Sequence, residues 1–122
     1  MRDDTENIIV EKTVAFALLI IKYCRQLERK GQLVIARQLL RSGTAIGAHV
    51  FEAQNAESRA DFIHKMKVGA KEASETKYWL IICEKCDGND FDYGLPESLQ
   101  DIIKILSKII STTKQNYRHN RI

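Results

Sequence analysis

Leu39, Gly43, Ile46, Val50 and Ala53 recur every three or four residues, which puts them on one face of a helix. That spacing, repeated in four segments of the chain, is the feature that most restricts its fold. Sustained period-two alternation is absent, and the only proline is Pro96. The four segments run over about 7–29, 33–54, 59–86 and 96–116. Gly31 suits the stop after the first, because glycine accepts a left-handed backbone. Ser58, with Asp61 three residues on, reads as the N-cap of the third. The stretch 87–95 (DGNDFDYGL) is a loop by composition, and Pro96 fits the first turn of the fourth. Connections of a few residues make consecutive helices run antiparallel. The expected fold is therefore an all-α, up-down-up-down four-helix bundle, one domain over 1–122 with a short polar start at 1–6.

The helices are apolar on more than one side. In the first, Ile9, Thr13, Phe16, Ile20, Tyr23 and Leu27 form a stripe that suits a core. Val10, Val14, Leu18 and Ile21 form a second, about 140° around. In the third, Phe62, Met66, Ala70, Ala73 and Leu80 suit the core, while Val68, Trp79, Ile82 and Cys86 gather behind them. The fourth carries Leu99, Ile102, Ile103, Leu106, Ile109 and Ile110 on one side. Opposite the core stripe of the second helix lie Arg37, Arg41, Thr44, Ala48 and Glu52. The small residues there, with Gly43 and Gly47, indicate close helix approach rather than a ligand-holding loop. Extra apolar faces mark contact with another protein, and self-association is the economical expectation. Its interface candidates are Val10, Val14, Leu18, Ile21, Thr44, Ala48, Glu52, Val68, Glu75, Trp79 and Ile82. An Arg41–Glu75 pair, within a subunit or across an interface, is expected to help set its register.

Charge gives a weaker indication. The chain has 19 Lys+Arg against 16 Asp+Glu, a net +3. Residues 114–122 hold three of the bases and no acidic side chain, so 1–113 balances at 16 against 16. Arg25, Arg29 and Lys30 at the end of the first helix, Arg37 and Arg41 in the second, and Lys114, Arg118 and Arg121 in a basic tail are the candidates for phosphate contact with RNA or DNA. Symmetry in an oligomer would multiply each such patch.

Chemistry is hard to find. Cys83-Glu-Lys-Cys86 lacks the further ligands of a zinc site and closes a helix where a redox motif would open one. Asp61-Phe-Ile-His64 and His49-Val-Phe-Glu52 do not make the paired Glu-x-x-His motifs of di-iron bundles. Ser42 and His49 stand two turns apart. No enzyme, metal or cofactor is expected. Met1 is followed by a polar stretch, and the longest apolar run, 14–21, falls short of the roughly 20 residues a spanning helix needs. With three cysteines, this points to reduced thiols in the cytoplasm and to no membrane partner.

The stretches RSGTAIGAHVFEAQ (41–54), AESRADF (56–62) and KEASETKYWL (71–80) resemble the bacterial four helix bundle proteins, a family first encoded by intervening sequences within 23S rRNA genes. Ser42, Thr44, Ile46 and Glu52 match the family's second-helix pattern. His49 stands where asparagine is usual, and Ala53 where glycine is usual. The resemblance spans about 8–115 and implies a ring-shaped homopentamer with no catalytic residue to transfer. It extends distantly to accessory proteins of diversity-generating retroelements, basic pentameric barrels that partner a reverse transcriptase and nucleic acid. The function so implied is a non-enzymatic scaffold or adaptor contacting nucleic acid or a nucleic-acid enzyme. The other reading is an assembly module that binds only protein.

Overall fold

The computed structural model describes the backbone of residues 4–121 and the side chains of 8–88 and 90–116. Four long helices account for nearly all of it: α1 (Asp4–Arg29), α2 (Leu33–Ala53), α3 (Arg59–Asp87) and α4 (Gly94–Arg121), with a short 3-10 turn at Gly88–Asp90. α1 packs on α2 and α4, and α3 packs on α2 and α4. The all-α architecture expected from the sequence is present, with no strand among the described residues. One boundary differs. Residues 114–121 continue α4 instead of leaving the body as a tail.

Local chemistry explains the ends. At the close of α1 the amide of Gln32 donates to Leu27 O and that of Gly31 to Glu28 O. This is a Schellman turn, and Gly31 supplies its left-handed residue at φ 82°. At the start of α3, Ser58 Oγ accepts from the Asp61 amide at 3.0 Å. Asp61 in turn accepts from the Glu57 amide at 3.1 Å, one residue earlier than in the usual capping box. Asp61 also holds Lys65 at 2.9 Å.

Where α1 meets α2, the two glycines act as spacers. A Cβ on Gly43 would stand 2.9 Å from Ile20 Cγ2, and one on Gly47 3.1 Å from Thr13 Cβ. On the other flank of α2, Thr76 Oγ1 donates to Ser42 Oγ at 3.0 Å inside the α2–α3 seam. Further along that seam, Gly69 lies against Ile46 and Val50. At both seams residue numbers rise along one helix as they fall along its neighbour. The α1 core stripe, from Ile9 to Leu27, is buried throughout, as are Leu39, Gly43, Ile46, Val50 and Ala53. In α3 the buried line is Met66, Gly69, Ala73, Thr76, Leu80 and Cys83, while Phe62 and Ala70 are only half-buried. In α4, Leu99, Ile102 and Leu106 are buried, and Ile103, Ile109 and Ile110 pack against them partly covered. Phe91 and Leu95, assigned to a loop by composition, are core residues, Leu95 fully so.

The glycines in these seams should respond oppositely to alanine. At Gly69 the nearest atoms to an added Cβ are 3.5 Å or more away, so Gly69→Ala should stabilise by up to about 1 kcal/mol through helix propensity. Gly43→Ala gains the same propensity but must displace Ile20, an overpacking cost of about 1–3 kcal/mol. Urea unfolding should show Gly69→Ala at or above the parent and Gly43→Ala below it.

Candidate interaction surfaces

The second apolar stripe of α1 lies outside. Val14 is 52% and Leu18 63% exposed, with Val10 and Ile21 half-buried beside them. On α2, Ala48 and Glu52 are exposed and Thr44 is half-covered. On α3, Val68, Glu75, Trp79 and Ile82 are half-buried and Cys86 is exposed. Periodicity does not single out other apolar groups on the surface: Leu33, Val34, Phe51, Tyr78 and Ile81 are all exposed. Leu33 and Val34 open α2, where they blend into its helical spacing. Phe51 hides inside the motif of small residues.

Between α2 and α3 the outer surface is tied by charge. Arg41 reaches Glu75 at 2.5 Å and Glu72 at 3.3 Å, and His49 Nε2 lies 3.8 Å from Glu72. Trp79 Nε1 donates to Glu75 at 3.1 Å. Donation by Arg41, and then by Trp79, holds the Glu75 carboxyl below its ordinary range. The expected Arg41–Glu75 pair therefore forms within one chain, and Arg41 is half-exposed. It is a surface clasp, with its charge spent on two carboxylates.

The basic candidates divide accordingly. Lys30 pairs with Asp90 at 2.7 Å and Asp87 at 3.5 Å. Arg25, Arg29 and Arg37 are exposed and have no ion pair among the described residues. By helical spacing all three lie on the outer side of α1 and α2, near the turn that joins them. Lys114 is half-buried on α4. The side chains of Arg118 and Arg121 fall outside the described residues.

The groups with the most perturbed titration sit inside. Tyr23 is buried and donates to Asp87, whose side chain is 4% exposed and also faces Lys30. This cluster fastens the end of α1 to the end of α3. Burial, then the bond to Asp87, raises the Tyr23 hydroxyl far above its ordinary range. Burial pushes the Cys24 thiol up to about 12 and Cys83 up to about 11. Cys24 Sγ also donates to Ala36 O at 3.4 Å. Cys86, three residues beyond Cys83, is exposed. No group of three metal-binding side chains occurs among the described residues, and no helix among them is long and apolar enough to cross a membrane.

The molecule is thus an all-α protein of four long helices with polar clasps and apolar stripes on its outer faces. The chain belongs to the 23S rRNA-intervening sequence protein family, whose model matches residues 5–115. A crystal structure from the S23 ribosomal protein family of Bacteroides thetaiotaomicron, described as a protein of unknown function, is similar to it. That protein is 35% identical, with a TM-score of 0.83 over 88% of this chain and 98% of the other. Comparison with curated proteins finds no match.

The thiol environments set two expected outcomes. In the native protein, maleimide should modify Cys86 rapidly and reach Cys24 and Cys83 only on unfolding, as mass spectrometry of labelled peptides can read. The folded chain also keeps the protons of Cys24, Cys83 and Tyr23 at pH values where the unfolded chain releases them. Stability should hold up to about pH 9, the unperturbed thiol range, and fall as pH rises further. Thermal melts from pH 7 to 11 on the parent and Cys24→Ala should show the flatter alkaline decline in the variant.

Proposed function

We propose that the chain is a non-enzymatic scaffold or adaptor: an antiparallel four-helix bundle that assembles into a ring and presents basic surface to RNA or DNA, or to an enzyme acting on them. The observation that carries this is the outward apolar stripe of α1, with Val14 and Leu18 more than half exposed. A side chain like leucine gains about 1.5–3 kcal/mol on full burial, and such surface finds a partner. The partly covered patch on α3 (Val68, Trp79, Ile82) differs from that of α1. A contact between two unlike patches is head-to-tail, and head-to-tail contacts close into rings when the rotation permits. Five copies is the number that family resemblance implies, and the cytoplasm the place.

Nucleic-acid contact draws on Arg25, Arg29 and Arg37, cations with no carboxylate partner among the described residues, at one end of each subunit. Symmetry repeats them around the ring, where their potentials add. The second reading, a module that binds only protein, is favoured by the neutralisation of Lys30 and Arg41, which reduces the free positive charge.

Native mass spectrometry of the full chain should show five copies, and Leu18→Glu should give single subunits that still fold. A lone parent subunit at high concentration would overturn the assembly. Single-stranded RNA should bind with affinity that falls steeply with salt. The triple variant Arg25→Ala/Arg29→Ala/Arg37→Ala should bind weakly, its salt slope reduced by about 0.7 for each phosphate it no longer neutralises. Parent-like binding by the triple variant, with intact assembly, would leave the protein-only module.

A further inference from the structure

At the α2–α3 turn, Ala53, Gln54, Ala56, Ser58, Arg59, Phe62, Thr113 and Asn116 surround an open hollow of about 360 Å³. Gln54, the C-cap of α2, is only 8% exposed. Its Nε2 donates to Val50 O at 2.9 Å, while its Oε1 is buried with no hydrogen-bond partner. An unmet buried acceptor is costly, and no other buried side-chain oxygen or nitrogen among the described residues is left in that condition. Across the hollow α3 begins. The amides of Arg59 and Ala60 are the first of the helix and have no acceptor one turn back. Arg59 has no ion pair among the described residues, whereas the nearby Asp61 is spent on Lys65 and the Glu57 amide. Thr113 Oγ1 donates to Ile109 O, which leaves it free to accept.

We infer that this hollow binds one nucleotide: a base whose edge N–H meets Gln54 Oε1, and a phosphate held by Arg59 and the first amides of α3. An anion suits a helix start, and Phe62 and Ala53 provide apolar wall for a ring. The ligand is an anion that also carries a directional N–H donor, and each nucleobase has such a donor on its edge. The same unit comes free or as a residue of a strand. The choice of a nucleotide rests on the nucleic-acid reading above, while the site itself is remote from Arg25, Arg29 and Arg37.

Calorimetry on the full chain can test this with adenosine 5′-monophosphate, adenosine, inorganic phosphate and a short oligoadenylate. Adenosine 5′-monophosphate should bind saturably and at least tenfold more tightly than adenosine or phosphate. Gln54→Leu removes the unmet acceptor, so it should melt at or above the parent temperature yet bind adenosine 5′-monophosphate at least tenfold more weakly. Arg59→Ala should reduce that affinity to the level of adenosine. Oligoadenylate affinity lowered by Gln54→Leu assigns the unit to a strand; unchanged oligoadenylate affinity beside lost mononucleotide binding assigns it to free nucleotide. No saturable mononucleotide binding, phosphate binding as tightly as the nucleotide, or a folded Gln54→Leu with parent affinity each overturns the inference. RNA binding that depends on the three arginines can survive any of those results, and mononucleotide binding can survive the triple variant, so the two readings fail separately.

Discussion

The close approach of α1 to α2 at Gly43 and Gly47 is the constraint on which the remaining architecture depends. With no side chain at those two places, Ile20 and Thr13 lie directly against the backbone of α2. Dispersion is short-ranged, so a seam this tight gains attraction that a wider one forfeits. It also leaves little interior room on that side. The larger α1 residues Val14 and Leu18 are thereby turned to the outer flank. The helix that fits most tightly against its neighbour is thus also the one with the most apolar surface left over.

A second, polar device fixes how far α3 slides along α2. Thr76 and Ser42 meet inside the seam, and Thr76 also returns a hydrogen bond to Glu72 O. A shift along the helix would strand both hydroxyls away from water, at about 1–3 kcal/mol for each unmet group. Outside the same seam, Arg41 bridges Glu72 and Glu75. Inner and outer clasps agree on one register, and that agreement is what specifies a single packing.

Helix positions and most core residues are legible in the sequence because they depend on short-range pattern. The stripes of α1 and α2 and the stops at Gly31 and Ser58 follow from spacing and turn chemistry within a few residues. Phe91 and Leu95 are not legible, since the aspartates and glycines around them give a loop-like composition while the two apolar side chains fold back on the core. Thr76 and Gly69 are hidden for the same kind of reason: polarity and smallness are local properties, but their burial is decided by what α2 presents opposite. On the surface, the sequence names Lys30 and Arg41 as cations. It does not show that Asp90 and Glu75, 60 and 34 residues away along the chain, occupy them. The orphaned Oε1 of Gln54 likewise exists only in three dimensions.

Trp79, the chain's only tryptophan, and Cys86, its exposed thiol, lie seven residues apart on α3. Seven residues is close to two helical turns, so both look out from one flank, that of the stripe with Val68 and Ile82. Nature has thereby supplied an optical ruler: an intrinsic fluorophore and a single attachment point for an acceptor dye, fixed by a rigid rod. Light emitted from that flank reports when another molecule settles on it, without engineering a residue.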